Sequence, residues 1–283
     1  MADMPARSAT AHNTGLNTPR QRAAWLLLAL AALTVLLTAL GASVGSTGFD
    51  SVLRLADDPM AARIVWDIRL PRSLGAWLAG ALLGLSGAVA QGLFRNPLAE
   101  PFLLGSASGA SLGVAAALAL FGAAPATAWL AKLGLTGAAF VGAVVAVLLT
   151  LQLARGVQHT LRLLLAGVIV GVVLGAIKDL ITLASPDIIA AMQGFNLGSA
   201  GFIGWASCVL MLLAWCVCMA GAWVFSRALD GLSLGESTAA SLGLPLVPMR
   251  VALVAVLALS TGTAVAQTGL IAFVGLAAPH LVR

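Results

Sequence analysis

Long apolar runs separated by short polar segments make up most of the chain. A membrane-spanning helix needs about 20 mostly apolar residues. Seven runs approach or exceed that length and an eighth is shorter: about 23–45, 73–93, 103–122, 137–154, 161–184, 204–226, 249–267 and 269–282. The runs are continuous, whereas the strands of a membrane β-barrel alternate between apolar and polar residues. The pattern therefore predicts an all-α, polytopic membrane helical bundle with about eight transmembrane helices.

The same pattern divides the chain into two units. Residues 1–22 are polar and predict a disordered cytoplasmic N-terminus, and residues 23–283 predict one transmembrane domain. The first apolar run exceeds the apolar core of a typical signal peptide, which favours a retained helix. Cleavage near residues 41–43 stays open as the alternative.

Composition indicates lipid as the solvent. The chain is 60% apolar and only 9% charged, whereas about a quarter of the residues in soluble domains are charged. The net charge of +5 arises from scattered basic residues, so we predict no nucleic-acid partner. The three cysteines share one apolar run and the three histidines lie far apart, so we predict neither a metal site nor a cofactor.

The distribution of arginine and lysine favours an N-terminus on the inside of the membrane. Alternating spans then place nine basic residues inside and six outside. Four of the outer six lie in the loop 46–72, which weakens the bias. This loop places Arg69 and Arg72 at the outer mouth of a helix.

Two loops carry signals for short helices. In the inner loop, Ser233 and Glu236 have the spacing of a capping box, and Gly243 with Pro245 would end the helix. A capped helix in a cytoplasmic loop suits the docking of another protein, and a helix lying passively at the interface is the alternative. The outer loop has matching signals: Ser185 as a cap, Pro186 at the first position and Gly194 at the end.

Glycines recur at every fourth position in two apolar runs: Gly105, Gly109 and Gly113, then Gly167, Gly171 and Gly175. This spacing lets another backbone approach one face of a helix closely. Tight helix packing and a smooth face lining a wide passage both agree with the pattern.

The segment RNPLAEP at 95–101 interrupts the helical pattern. Pro97 and Pro101 cannot continue a helix, and each pushes the preceding residue towards extended geometry. Non-helical backbone at a membrane face persists only where protein or water satisfies its polar groups. The segment is therefore predicted to be buried in protein or to line a cavity, with a simple surface turn as the alternative.

The chain contains no recognisable energy source for transport. It lacks a P-loop, and no Asp, Glu or His lies in a mid-membrane position between the runs 103–122 and 249–267. The lack of such relay groups argues against a proton-coupled carrier. If a nucleotide drives transport, its hydrolysis takes place on another chain.

Three blocks of sequence follow one another in a specific order: RLPRSLGAWLAGALLGLSGAVAQGLFRNPLAEPFLLGSASGASLG at 69–113, LSLGESTAASLGL at 232–244 and GLIAFVGLAAPHLVR at 269–283. They resemble the signatures of the permease subunits of type II ABC importers, which take up iron-siderophores, haem and vitamin B12. The resemblance extends over most of residues 60–283.

This resemblance implies an assembly. Family permeases are homodimers with ten helices per subunit around a central pathway. A periplasmic or lipid-anchored substrate-binding protein delivers the cargo at the outer face, and two ATP-binding subunits dock below. Family members continue by two helices beyond the PHLVR block, so the chain is expected to be truncated at its C-terminus.

The resemblance also implies roles for particular residues. The candidates are Arg69 and Arg72 for binding-protein docking, Asn96, Pro97 and Leu98 for the cytoplasmic gate, and Gly235, Glu236 and Ser237 for coupling to the ATPase. The two arginines could instead be ordinary interfacial residues. The glycines Gly167, Gly171 and Gly175 are assigned to the pathway or to helix packing.

The expected function is that of a permease subunit in an ATP-driven importer of the bacterial inner membrane, carrying an iron chelate (siderophore or haem) or cobalamin. The chain itself is not expected to be an enzyme or to hold catalytic residues. A secondary active transporter without an ATPase is the alternative from another class, and a non-transporting membrane scaffold is the third. The passage has no ligands for a bare metal, so selectivity is expected to lie in the binding protein.

Overall fold

The computed structural model describes residues 19–44, 58–122, 129–154 and 160–282, and this part of the chain contains helices and no β-strands. The helices are α1 Pro19–Ser43, α2 Pro59–Phe94, α3 Ser106–Phe121, α4 Trp129–Leu153, α5 Thr160–Ala184, α6 Ile189–Leu197, α7 Trp205–Val224, α8 Ser226–Ser233, α9 Glu236–Ser241, α10 Leu246–Thr268 and α11 Val274–Val282. Short 3₁₀ turns, Pro101–Leu104 and Pro186–Ile188, precede α3 and α6. The predicted polytopic helical bundle is confirmed.

Each predicted span corresponds to one helix of the bundle. Six helices are long and apolar enough to cross a membrane, namely α1, α2, α4, α5, α7 and α10. Helix α3 has 16 residues and α11 has nine, so both are shorter than a full span. Of the N-terminus predicted to be disordered, residues 1–18 lie outside the described residues, and α1 begins at Pro19.

Helices α2 and α10 form the centre of the bundle. In its most apolar window, 72% of α10 is buried, compared with 50% of α2 and none of α1. Their fully buried side chains include Leu82 and Leu83 on α2 and Leu253 and Leu257 on α10. The outward faces of the other helices are rich in exposed leucine and valine, which in a bilayer meet acyl chains of similar polarity.

Buried hydroxyl groups on α10 are satisfied within the helix itself. Ser260, Thr261 and Thr268 donate to the carbonyl oxygens of the residues four positions earlier, over 2.7 to 2.9 Å. A hydroxyl in hydrocarbon without a partner would be costly, and this local bonding removes the cost without a second helix. Helix α10 can therefore be buried in the bundle despite its polar residues.

The periodic glycines mediate close helix packing. Helices α3 and α4 touch through their backbones, because a Cβ atom at Gly142 would lie 2.9 Å from the carbonyl carbon of Gly109 and 3.2 Å from the Cα atom of Gly113. On α5, a Cβ at Gly167 would lie 2.9 Å from the Cα of Leu104. The packing interpretation of these glycines is therefore supported.

The other two glycines of the α5 series contribute less to packing. A Cβ atom at Gly171 would lie at an ordinary contact distance, 3.6 Å, from the Cα of Gly105. At Gly175 a Cβ would meet no atom of the described residues within 4 Å. The close approach is therefore restricted to the first half of α5.

One short-helix prediction was wrong in its end point. Gly194 lies inside α6, which continues to Leu197 and ends before Gly198. Gly198 has the positive φ of 67° and packs against the carbonyl of Leu270, so its position leaves no space for a side chain. Ser185 does precede the helix at Pro186, but its side chain makes no capping hydrogen bond.

We expect Gly142→Ala to destabilise the bundle, because the new methyl group would overlap the backbone of α3. Overpacking of this kind costs about 1–3 kcal/mol. The measurement is the thermal unfolding midpoint of the purified protein in detergent. Gly137→Ala on the same helix is the matched control, since a Cβ there meets nothing within 4 Å among the described residues. Equal midpoints for the two variants would contradict the packing account.

Candidate gate and coupling site

The segment after α2 begins with a tight turn. Arg95 adopts the left-handed conformation with φ 49° and ψ 38°. The N–H groups of Arg95 and Asn96 donate to the carbonyls of Gly92 and Gln91, which ends the helix in the manner of a Schellman motif. The Asn96 side chain then accepts a hydrogen bond from the Leu98 N–H over 2.9 Å. The turn is built from its own polar groups and needs no outside partner.

The segment divides into an exposed half and a buried half. Asn96, Pro97 and Leu98 are exposed, and Leu98 is 70% accessible. Ala99 is completely buried, and Pro101 is buried as well. In the single chain, residues 95–98 form an exposed turn, as in the alternative interpretation, and Ala99 and Pro101 are buried in protein as predicted; that the exposed half lines a cavity stays a prediction.

The buried half meets α11 at a point inside the bundle. A Cβ atom at Gly275 would lie 2.7 Å from the Cδ of Pro101, and one at Gly87 would lie 2.9 Å from the Cα of Gly275. Gln91, which is buried on α2, donates its amide to the carbonyl of Leu276 over 3.1 Å. These contacts fix the start of α11 against both α2 and the segment.

The predicted capping box of the inner-loop helix was wrong. Ser233 is the last residue of α8, and its hydroxyl donates to the carbonyl of Asp230 instead of capping the next helix. Helix α9 starts at Glu236, preceded by Gly235 with φ 111°. That φ is unfavourable for residues with a side chain, so the break between α8 and α9 requires glycine at this position.

The end of α9 was predicted correctly. Gly243 has φ 76°, and its N–H donates to Ala240 while the N–H of Leu244 donates to Ala239. This pair of bonds is a Schellman motif, for which glycine is the preferred residue. Pro245 directly precedes α10 and so separates the two helices.

A single apolar cluster joins the turn and the short helices. Its buried members include Leu93 and Phe94 at the end of α2, Ala99 in the segment, Leu232 on α8 and Ala239 on α9. The guanidinium of Arg95 also lies near Gly235. Interiors packed in this way transmit displacement, because they leave little free volume. A displacement of α9 would therefore reach the segment through this shared cluster and through the approach of Arg95 to Gly235.

The two predicted docking arginines differ in their surroundings. Arg69 is buried and donates from Nη1 to the carbonyl of Ser43 at the end of α1, over 3.1 Å. Arg72 is exposed one turn further along α2. Both line a cleft of about 420 Å³ between α1 and the start of α2, together with Gly41, Val44, Ile64, Ile68 and Ser73. Arg69 thus holds two helices together, and Arg72 is the accessible cation.

A cavity at the opposite end of the bundle from the 95–98 turn was missed by the sequence reasoning. It has a volume of about 370 Å³ and lies between α3, α4, α6 and α10, with Val114, Leu118, Phe195 and Gln267 among its lining residues. The lining is mainly apolar. Its residues come from four helices, so no local pattern in the sequence indicates it.

Comparison with known proteins identifies the family. The FecCD transport family matches residues 28–283. The chain belongs to the FecCD transport family. The vitamin B12 import system permease protein BtuC of Shigella boydii serotype 18 is 39% identical to it over 272 residues, which cover 93% of this chain and 78% of the relative. BtuC of Escherichia coli O1:K1 is 41% identical over 231 residues, 80% of this chain and 68% of the relative.

A solved structure has the same fold. It is a metal-chelate type ABC transporter in an inward-facing conformation, with a TM-score of 0.80 and 26% identity, covering 91% of this chain and 80% of that one. Together with the family match, this shows a permease subunit of a type II ABC importer, a multi-pass protein of the inner membrane. The permease subunit of an ATP-driven importer, expected from the sequence, is therefore confirmed, and the alternative of a secondary active transporter is not supported.

We expect Arg69→Ala to destabilise the protein while Arg72→Ala does not. Arg69 is buried and loses a charge-assisted hydrogen bond to Ser43, which costs about 1.5–3 kcal/mol. Arg72 is exposed, so its truncation should change stability by less than about 0.5 kcal/mol. Thermal midpoints of both variants in detergent give the comparison. A drop in the thermal midpoint of Arg72→Ala as large as that of Arg69→Ala, or larger, would contradict this expectation.

Proposed function

We propose that the chain imports a corrinoid or a related metal chelate, driven by ATP hydrolysis on a separate subunit. The single observation that carries this proposal is the 39–41% identity to permeases named for vitamin B12 import, which extends over 80–93% of the chain. Among the described residues, no three His, Cys, Asp or Glu side chains come together as a metal site. This favours a cargo that arrives as an enclosed chelate rather than as a bare ion.

The ATP-binding subunit docks on α8 and α9 in this proposal. Helix α9 presents Ser237 and Thr238 to solvent while Ala239 packs into the apolar cluster beneath. A docked partner would therefore press on a helix whose opposite face packs into the same apolar cluster as Ala99 of the segment after α2. Gly235, Glu236 and Ser237 form the first part of this surface, and the glycine supplies the bend that sets the helix direction.

The inner gate consists of Asn96, Pro97 and Leu98 in this proposal, paired with the same turn of a second permease copy. The turn is exposed in the single chain and closes on itself through the Asn96 side chain. It ends at the buried Ala99, so it can tilt without unwinding α2. Gly167 and Gly171 on α5 bring the following turn, 101–105, close to that helix.

A substrate-binding protein docks at the outer face in this proposal, with Arg72 as the accessible cation. An exposed ion pair contributes only about 0–1 kcal/mol, so Arg72 would orient the partner more than hold it. Arg69 contributes indirectly by fixing α1 to α2 beside it.

The direct test of the proposed function is uptake into proteoliposomes containing the permease, its ATP-binding subunit and its binding protein. We expect ATP-dependent accumulation of radiolabelled cyanocobalamin or of a ferric siderophore or haem, and none without ATP. The same vesicles prepared with an ATPase subunit unable to hydrolyse ATP are the control. Accumulation driven by a proton gradient in the absence of ATP would contradict the proposal.

We expect Ala240→Pro to uncouple transport from ATP hydrolysis. Ala240 is exposed, so the change affects the α9 backbone rather than core packing. Proline in a helix interior removes a hydrogen bond and costs about 3 kcal/mol. Uptake should fall at least tenfold while membrane insertion, measured by the folded yield, stays unchanged.

The control at the same position is Ala240→Ser, which keeps the backbone donor. We expect it to transport at the level of the unmodified protein. Normal uptake by Ala240→Pro would remove the role of α9 as the coupling element. The substitution is placed at Ala240 rather than at Glu236 because Glu236 is the first residue of α9, and proline is tolerated at the first position of a helix.

A further inference from the structure

Two breaks in the helical backbone meet inside the bundle. The first is the segment between α2 and α3, and the second is the stretch 269–273 between α10 and α11. They meet where Gly275 packs against Gly87 and Pro101. Gly87 lies about 10 Å along the axis from the end of α2, at 1.5 Å per residue. The packed contact of Gly275 with Gly87 and Pro101 is buried, whereas Phe273 at its edge is exposed in the single chain.

Three backbone donors of the second break, those of Gly269, Leu270 and Phe273, have three different partners. The N–H of Gly269 donates to Val265 over 2.8 Å within α10, and the N–H of Leu270 donates to the carbonyl of Phe195 on α6 over 3.0 Å. The N–H of Phe273 donates to the carboxylate oxygen Oε1 of Glu100 over 3.1 Å. Only this last bond uses a side chain, and it joins the two breaks directly.

Strain is present on both sides of this bond. Among the described residues, Arg95 and Phe273 are the two non-glycine residues with a positive φ, 49° and 66°. A residue with a side chain in this region is held there by its surroundings, because it pays a steric cost. Arg95 begins the first break and Phe273 ends the second, and Glu100 lies between them. One residue with a positive φ therefore lies five positions before the acceptor Glu100, and the other, Phe273, is the donor of the bond.

Phe273 also starts a helix. Its carbonyl accepts from the N–H of Leu276 over 3.1 Å and from that of Ala277 over 2.9 Å. The Glu100 carboxylate thus lies at the positive end of the α11 dipole as well as on the backbone donor. Both effects favour the same position of α11 relative to the segment.

We propose that Glu100 is a positioning residue of the inner gate, which holds the start of α11 to residues 99–104 so that they move as one block. The proposal rests on the proposed gate role of residues 96–98. In this arrangement the block of residues 99–104 with the start of α11 is the base that carries the exposed turn 95–98, and the turn closes against the same turn of the second permease copy. Ala99 connects the block to the cluster that contains Ala239 of α9.

The first test measures the block itself, without transport. Purified permease in lipid nanodiscs is followed by amide hydrogen exchange, comparing a peptide covering 270–280 with one covering 206–222. In Glu100→Ala we expect the amides of the first turn of α11 to exchange about tenfold faster, as expected for the loss of one charge-assisted hydrogen bond. The 206–222 peptide should not change.

Three further variants make this result specific. Glu100→Gln keeps an acceptor oxygen and should restore most of the protection. Glu100→Asp keeps the charge but is one methylene shorter, and should exchange faster than the unmodified protein; it serves if the alanine variant does not fold. The control is Asp187→Ala, at an exposed acidic residue in the 3₁₀ turn Pro186–Ile188 that precedes α6. Exchange equal to that of the unmodified protein in both the Ala and Asp variants would overturn the proposal.

The second test measures coupling in the assembled importer. We expect Glu100→Ala to raise the ATP hydrolysed per cargo molecule at least threefold, and Glu100→Gln to bring the ratio back near that of the unmodified complex. A purely structural defect would reduce hydrolysis and uptake together, and an unchanged ratio would overturn the positioning role. Failure of the unmodified complex to import any chelate would instead contradict the proposed function. The hydrogen-exchange measurement would still test whether Glu100 holds the start of α11.

Discussion

The structure depends on one constraint: backbone polar groups inside a bilayer must find partners within the protein. Continuous helices meet this constraint by themselves, and most of the bundle consists of them. Where the backbone leaves the helix, its polar groups need other partners. In the turn after α2 the Asn96 side chain supplies one locally, and in the stretch 269–273 the Glu100 side chain and the carbonyl of Phe195 supply them from elsewhere in the chain. The non-helical segments, where movement is easiest, are therefore the segments with the most specific contacts.

Small residues make this arrangement possible. The breaks can approach α2 and α5 because Gly87, Gly275 and Gly167 carry no side chains at the points of contact. In a membrane there is little hydrophobic gain from bringing two helices together, so close backbone approach and van der Waals packing supply much of the stability. The same residues therefore stabilise the bundle and bring the two breaks together.

The short helices α8 and α9 pack against this interior and form the proposed docking surface for the ATP-binding subunit. Helix α9 is only six residues long and would not be stable alone, because helices of that length are marginal in water. It is held by Gly235 and Gly243 at its ends and by Ala239 in the shared cluster. Ala99 of the segment after α2 belongs to the same cluster. This shared packing is the physical basis of the proposed coupling.

The sequence by itself determined the membrane bundle, the order of its main helices, the family, and the end of α9 at Gly243. These properties depend on local patterns, namely continuous apolar runs, prolines and glycines, and ordered motifs, which can be recognised without knowing what lies nearby in space. Such patterns were insufficient at the start of α9, where the sequence predicted Ser233 as the cap and the structure has Gly235 before the helix. Two helix-start signals lie two residues apart there, and Ser233 belongs to α8 instead.

Only the tertiary structure decided which residues meet. It separated Arg69 from Arg72 by burial, divided the 95–101 segment into an exposed turn and a buried half, and brought Glu100 to Phe273, which is 173 residues away in the sequence. The physical reason is that burial and hydrogen bonding across the bundle depend on how several helices pack together. The length and polarity of each helix depend on its local sequence. The contacts between helices depend on how all the helices pack together.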